Sequence, residues 1–188
     1  MPSHSQPTQN ERLVIGIGGR IGAGKTTAAQ YLSSRHGFQY LRYSQVLSEW
    51  KGRESEAHLQ EIGWEVMGEG MQGELNRRLI AQIRPDGDVA VDGLRHPLDY
   101  ESLQNSFGSS FHLVFIDSSQ EQRWNRKKVK DTYRTLASFN AADSHPVELH
   151  IESLRGKATL VLQNNGSLQD LYRALDEAVR GFGMEVRV

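Results

Sequence analysis

The sequence lacks several features, and each absence excludes a class of protein. None of its 188 residues is cysteine, which excludes disulfide scaffolds, thiolate metal sites and cysteine nucleophiles. No apolar run approaches the roughly 20 residues of a membrane helix, and the first ten residues show no signal-peptide pattern. Basic charge is not in excess, since 22 Lys and Arg stand against 23 Asp and Glu. We therefore expect a cytoplasmic protein without a membrane partner, and nucleic acid is not the partner that this balance favours.

The apolar residues form a pattern in which short strands alternate with helices. Strands are predicted at 13–18, 38–43, 89–91, 112–116 and 159–162. This alternation predicts a three-layer α/β domain around a parallel sheet. Residues 1–10 are polar with two prolines and predict a disordered tail, so that 11–188 would form a single domain. The stretch from about 131 to Pro146 is polar, with only weak patterning.

The strongest motif directly follows the first predicted strand. The stretch GRIGAGKT, from Gly19 to Thr26, matches the pattern G-x-x-x-x-G-K-[ST], and a helical pattern follows it. Its glycines allow backbone N–H groups to turn inward around a polyphosphate, and the helix N-terminus favours negative charge. Lys25 would reach the β- and γ-phosphates, and the Thr26 hydroxyl would ligate Mg²⁺. The expected nucleotide-binding residues of this segment are Gly19, Gly22, Ala23, Gly24, Lys25, Thr26 and Thr27.

With this loop in place, the sequence resembles the P-loop kinases of the nucleoside monophosphate kinase group. It looks most like the branch of dephospho-coenzyme A kinase-like proteins, phage-type deoxynucleoside monophosphate kinases and animal-type phosphomevalonate kinase. The stretches that carry the resemblance are GRIGAGKTTAAQYL, LRYSQVL, VAVDGLRHPLDYESL, HLVFIDSSQEQRWNRKK and LQNNGSLQDLYRAL. The resemblance implies a five-stranded parallel sheet in the order 2-3-1-4-5, ATP and Mg²⁺ as cofactors, and a small-molecule phosphate acceptor. It also implies a helical acceptor-binding region at 45–84 and a mobile lid at about 120–146.

Asp92 and Arg95 follow the third predicted strand. An acidic residue at the carboxyl end of a parallel strand faces the phosphate site, so Asp92 is a candidate Mg²⁺ residue. The resemblance to a D-x-R-x-P stretch implies that Arg95 contacts the phosphate of the acceptor, for which a bidentate donor is suited. The sequence also leaves open a turn-capping role for Asp92 and a solvated surface position for Arg95.

Arg123 and Arg126 lie in a basic helix predicted at 120–130. They are three residues apart and can point from one helix face. The resemblance to an R-x-x-R lid implies that both neutralise charge on the transferred phosphoryl group. A solvated basic face is the structural alternative.

Asn164 and Gly166 follow the fifth predicted strand. The segment from Asn164 to Ser167 resembles the N-x-G turn that holds the nucleotide base in related kinases, although Asn-Gly is also simply a favourable turn.

One departure from the resemblance concerns the acceptor. Dephospho-coenzyme A kinases carry an acidic residue just after the second strand, where this sequence reads Arg42-Tyr43-Ser44-Gln45. A phosphate acceptor is already ionised and needs alignment rather than a general base. The sequence therefore favours transfer of the γ-phosphoryl group of ATP to a phosphomonoester, foremost a (deoxy)nucleoside monophosphate. The alternatives are a dephospho-coenzyme A kinase-like enzyme with a hydroxyl acceptor and a regulatory nucleotide-binding NTPase without kinase activity.

Overall fold

A computed structural model describes residues 12–52, 56–129 and 133–183, so the predicted tail at 1–10 lies outside the described residues. The five strands are β1 (Val14–Gly18), β2 (Gln39–Arg42), β3 (Val89–Leu94), β4 (Phe111–Asp117) and β5 (Leu160–Gln163). The helices in the described ranges are α1 (Lys25–His36), α2 (Tyr43–Lys51), α3 (Glu56–Gly68), α4 (Gln72–Ala81), α5 (Pro97–Phe107), α6 (Gln120–Val129), α7 (Leu136–Asp143), α8 (Pro146–Arg155) and α9 (Leu168–Gly181).

The strands form one parallel sheet in the order β2-β3-β1-β4-β5, which confirms the fold expected from the sequence. In the central strand β1, Val14 faces one side of the sheet whereas Ile15 and Ile17 face the other. The face of Val14 is covered by apolar residues of α2, α4, α5 and α8. The opposite face is covered by α1 and α9. Because both faces are covered, the strands read as continuous apolar runs in the sequence.

Two elements differ from the sequence-based expectations. Strand β3 continues beyond Asp92 to Leu94, because Leu94 pairs with Gly18 of β1 after an irregularity in the register. Helix α7 occupies part of the stretch that showed only weak patterning. It begins with a capping box in which Thr135 and Ser138 satisfy each other's backbone N–H groups, and it buries Phe139 completely. The region at 45–84 contains α3 and α4 and most of α2.

Parallel strands place their carboxyl ends at one edge of the sheet. The loops that follow β1, β3, β4 and β5 therefore meet at this edge, together with the N-terminus of α1. The candidate site is built there.

Candidate phosphate-transfer site

The phosphate loop adopts a backbone that only glycine supports at three positions. Gly19, Gly22 and Gly24 have φ values of 143°, 77° and 108°, in the left-handed region. A Cβ atom on Gly19 would lie 2.5 Å from the carbonyl oxygen of Ile116, and one on Gly22 would lie 2.7 Å from that of Arg123. The loop is therefore pressed against β4 and α6, without space for side chains at these two positions. A glycine-rich loop that leads into a helix N-terminus is a common binding site for phosphate. This cradle fits a polyphosphate.

Lys25 is the first residue of α1 and reaches back over the loop. Its Nζ donates hydrogen bonds to the carbonyl oxygens of Gly19 (2.7 Å) and Arg20 (3.0 Å). Burial lowers the pKa of Lys25 to about 8, and the neighbouring charge of Arg95 adds to this effect. The carboxylates of Glu148 and Asp92 act in the opposite direction. Lys25 is therefore a cation at the loop, with Arg95 close enough to act on its charge.

Asp92 is a buried carboxylate that joins three elements. Its Oδ2 accepts hydrogen bonds from the hydroxyls of Thr26 (2.8 Å) and Tyr40 (3.1 Å), and Arg42 Nε lies 3.8 Å from it. The hydroxyl of Thr26 and the carboxylate of Asp92 supply oxygen ligands of the kind that Mg²⁺ prefers. The residues present at this position therefore fit a magnesium site.

Arg95 belongs to a turn whose backbone is hydrogen-bonded to the buried carboxylate of Asp99. The backbone N–H groups of Arg95 and His96 each donate to Oδ2 of Asp99 at 2.9 Å, and Gln72 donates to Oδ1 at 2.5 Å. Burial raises the pKa of Asp99, although these hydrogen bonds act against the rise. Asp99 thereby fixes the turn after β3, so that Arg95 projects from a rigid support.

The two arginines of α6 occupy different environments. Arg123 is buried, and its guanidinium pairs with both carboxylate oxygens of Asp143 in α7. It also donates to the carbonyl oxygens of Ser118 and of Ile21 in the phosphate loop, each at 3.1 Å. These bonds use the guanidinium to hold α6, α7 and the loop together. Arg123 therefore does not belong to a solvated basic face, and its implied role at the transferred phosphoryl group stays a prediction.

Arg126 lies one turn further along α6 and is only partly buried. Its guanidinium donates to Ser118 Oγ (3.0 Å) and to the carbonyl oxygen of Asn164 (2.6 Å), and it approaches the carbonyl of Gly22 at 3.4 Å. Burial lowers the pKa of Arg126. This arginine therefore contacts the phosphate loop, Ser118 and the turn after β5 together, and its implied role at the transferred phosphoryl group stays a prediction.

Asn164 connects the end of β5 to the phosphate loop. Its side-chain amide donates to the carbonyl oxygen of Ala23 at 2.8 Å, and a Cβ on Gly24 would lie 2.6 Å from the same Nδ2 atom. Gly166 continues the turn, and a Cβ there would lie 2.8 Å from Asp170, which caps α9. The predicted turn residues thus lie beside the loop, and Thr27 lies in the first turn of α1.

Sequence reasoning missed four residues of this site. Tyr40 and Arg42 reach Asp92 from β2, and Arg20 lies 3.3 Å from Asp143 and 3.9 Å from Glu148. Glu148 is buried in α8, and its Oε2 accepts the N–H of Ile21 at 3.2 Å. Tyr40 and Arg42 were detectable from their place at the end of a strand. The pairing of Glu148 with the loop joins residues 127 positions apart and leaves no local signal.

The chain is similar to several known proteins. The sequence model of the AAA domain family matches residues 15–140. A UPF0200/UPF0201 protein of Archaeoglobus fulgidus is 23% identical over 189 residues, covering 95% of this chain and 58% of that protein. The chain thus spans little more than half the length of that relative.

Two kinases are also similar. A dephospho-CoA kinase of Thermus thermophilus is 27% identical over 184 residues, covering 87% of this chain and 88% of that enzyme. The structure of shikimate kinase from Acinetobacter baumannii in complex with shikimate aligns with a TM-score of 0.62 at 17% identity, covering 94% of this chain and 97% of that one. The first is a distant sequence similarity and the second shows a shared fold.

Within the described ranges, none of the helices is both long and apolar enough to span a membrane.

Proposed function

The chain belongs to the AAA domain family, and from this membership and the geometry of its phosphate loop we propose that it is an ATP- and Mg²⁺-dependent phosphotransferase acting on a small phosphomonoester. The observation that carries the proposal is the convergence of Lys25, the Thr26–Asp92 pair and Arg95 at one edge of the sheet. A nucleotide-binding module needs the first two features. A cation beyond the Mg²⁺ position is what an acceptor phosphate would require.

The proposed roles follow from these positions. The loop amides and Lys25 bind the β- and γ-phosphates of ATP, and Thr26 and Asp92 hold Mg²⁺, which neutralises phosphate charge when bound. Arg95 binds and aligns the acceptor phosphate. Arg126 lies where charge on the transferred group would develop, and Arg123 keeps α6 against the loop. Asn164 and Gly166 shape the turn beside the loop, where the base of the donor nucleotide would lie.

The end of β2 supports a phosphate acceptor rather than a hydroxyl. In place of a free carboxylate it presents Arg42, and Tyr40 is engaged with Asp92. Arg42 beside Asp92, together with Arg95 in the turn after β3, suits a dianionic phosphomonoester. Among such acceptors we propose a (deoxy)nucleoside monophosphate.

A second candidate is a hydroxyl acceptor of the dephospho-CoA type. The similarity to the Thermus thermophilus enzyme over most of both chains favours it, whereas the missing carboxylate after β2 counts against it. The third alternative is a regulatory NTPase, which would hydrolyse ATP without responding to any acceptor.

The test is a coupled ADP-release assay with ATP and Mg²⁺ against nucleoside monophosphates, other phosphomonoesters and dephospho-CoA. Stimulation by a phosphomonoester supports the proposal. Stimulation by dephospho-CoA alone would support the second candidate, and acceptor-independent turnover would support the third. Lys25→Ala is the control, because it should abolish turnover with every acceptor.

A further inference from the structure

Four aromatic rings from three separate segments meet in the described part of the chain. Trp64 of α3 lies with its ring centroid 5.7 Å from that of His145 and 5.8 Å from that of His150. His150 in turn lies 5.1 Å from His96. We call Trp64, His96, His145 and His150 the ring cluster.

The ring cluster adjoins residues already placed in the site. His96 directly follows Arg95, so their Cα atoms are about 3.8 Å apart. His145 and His150 flank Glu148 on α8, whose carboxylate accepts the N–H of Ile21 in the phosphate loop. The ring cluster thus includes the residue next to Arg95 in the chain, and two of its histidines lie within three residues of the carboxylate that contacts the phosphate loop.

Core packing does not account for Trp64. Its neighbour on α3, Val66, is 1% exposed and belongs to the apolar core, whereas Trp64 retains 37% of its surface exposed. The indole lies edge-on to His145 and is only tilted by 34° against His150. Part of this large aromatic surface is therefore open to a ligand.

Two of the imidazoles have a defined hydrogen-bonding direction. The Nδ1 atom of His96 accepts the backbone N–H of Leu98 at 3.1 Å, and the Nδ1 atom of His145 accepts that of Val147 at 3.2 Å. In a neutral ring with Nδ1 as acceptor, the proton is on Nε2. Both rings therefore offer an N–H donor within the cluster, His145 next to the indole and His96 next to His150.

From this arrangement we propose that the ring cluster is the specificity-determining subsite for the acceptor, and that it recognises a planar heteroaromatic ring. Trp64 would stack on the face of the ring, and His96 and His145 would donate to acceptor atoms at its edge. A nucleobase has both features, whereas a sugar phosphate or an aliphatic phosphomonoester has no face to stack. This inference rests on the proposed function, because it assumes that Arg95 holds the phosphate of the same acceptor.

The experiment compares acceptors with and without a ring. The KM values for cytidine monophosphate, adenosine monophosphate and ribose 5-phosphate are measured in the ADP-release assay for the parent, Trp64→Leu and Trp64→Phe. Binding of the same three compounds is measured by calorimetry with the donor site saturated by a non-hydrolysable ATP analogue. Leu149→Ala is the matched control, because it removes an exposed apolar side chain from α8 without changing a ring.

We expect Trp64→Leu to weaken the better nucleotide about 5- to 150-fold, the range of base–aromatic stacking, and to leave ribose 5-phosphate within about twofold. Trp64→Phe should keep most of the nucleotide affinity, and Leu149→Ala should leave the affinity for all three compounds unchanged. A parent that takes ribose 5-phosphate as well as nucleotides, or a variant that loses all three equally, would overturn the inference while the proposed function stands. Nucleotide binding that depends on Trp64 without any phosphoryl transfer would refute the proposed function and uphold the ring subsite. If none of the three compounds binds, the inference is wrong.

Discussion

The hydroxyl of Thr26 donates a hydrogen bond of 2.8 Å to the carboxylate of Asp92, and this bond joins the start of α1 to β3 across 66 positions of sequence. Thr26 follows β1 through the phosphate loop and Asp92 lies in β3, and the two come together because β1 pairs with β3 in the sheet. The bond brings the two proposed Mg²⁺ residues together at the N-terminus of α1, where Lys25 is the first residue. Lys25, Thr26 and Asp92 therefore lie together at the start of α1 and can be tested by substitution.

Lys25→Ala should remove most ATP affinity, by at least about 10-fold, because a charge-assisted contact to phosphate is worth about 1.5–3 kcal/mol. The fold should persist, since the hydrogen bonds of Nζ go to loop carbonyls rather than to the core. Calorimetry with ATP and Mg²⁺ measures the affinity, and circular dichroism checks the fold. If the variant binds ATP as tightly as the parent, the assignment of Lys25 to the donor site is wrong.

Asp92→Asn and Arg95→Ala should separate donor from acceptor. Asp92→Asn keeps the shape of the side chain but removes the charge that favours a metal ion, so activity should fall at every acceptor concentration. Arg95→Ala should raise the acceptor KM roughly 10- to 150-fold, with ATP affinity nearly unchanged. Arg84→Ala is the control, because it removes an exposed arginine at the opposite edge of the sheet. If the acceptor KM is unchanged in Arg95→Ala, Arg95 does not bind the acceptor phosphate.

Arg126→Ala should lower kcat by about 100-fold or more and raise KM far less, because its proposed contact strengthens only in the transition state. Lys128→Ala removes an exposed charge from the same helix and should leave kcat unchanged. If both variants behave alike, α6 contributes only a basic surface.

Arg123→Met should destabilise the fold rather than act on catalysis alone. It leaves the buried carboxylate of Asp143 without its bidentate partner, which costs about 3 kcal/mol when a buried pair is broken. Urea unfolding measures the loss, and the double variant Arg123→Met, Asp143→Leu should recover part of it. A parent-like unfolding midpoint for the single variant would show that the pair is not structural.

His112 should make the protein less stable in mild acid. Burial lowers the pKa of His112, whose ring stacks on Phe182 at 4.1 Å and whose Nδ1 is buried without a hydrogen bond. The unfolded chain therefore takes up the proton first, near the ordinary pKa of about 6.5, and the free energy of unfolding falls as the pH drops through that value. His112→Phe keeps the stacked ring and should lose part of this dependence between about pH 7 and 5. Equal slopes of stability against pH in both proteins would contradict the argument.

The sequence by itself determined the strands, the phosphate loop and the loop's place between β1 and α1. These features depend on local rules, such as apolar runs for buried strands, glycine for positive φ and an N-terminal helix turn for phosphate. The resemblance supplied the strand order, and the structure confirmed it. Helix α7 escaped detection because its apolar residues, which include Leu136 and Phe139, show little helical periodicity, although the Thr135–Ser138 capping box was a readable local signal.

Only the tertiary structure decided which side chains work together. Arg123 pairs with Asp143, whereas Arg126 contacts the carbonyl of Gly22 in the phosphate loop. The sequence does not show this difference between two arginines that are three residues apart. The tertiary structure also brought Glu148 to the phosphate loop and gathered the ring cluster from three segments. Such contacts depend on how helices lie against the sheet. That packing is set by the whole core, whereas the sequence around any one residue specifies only its own helix, strand or turn.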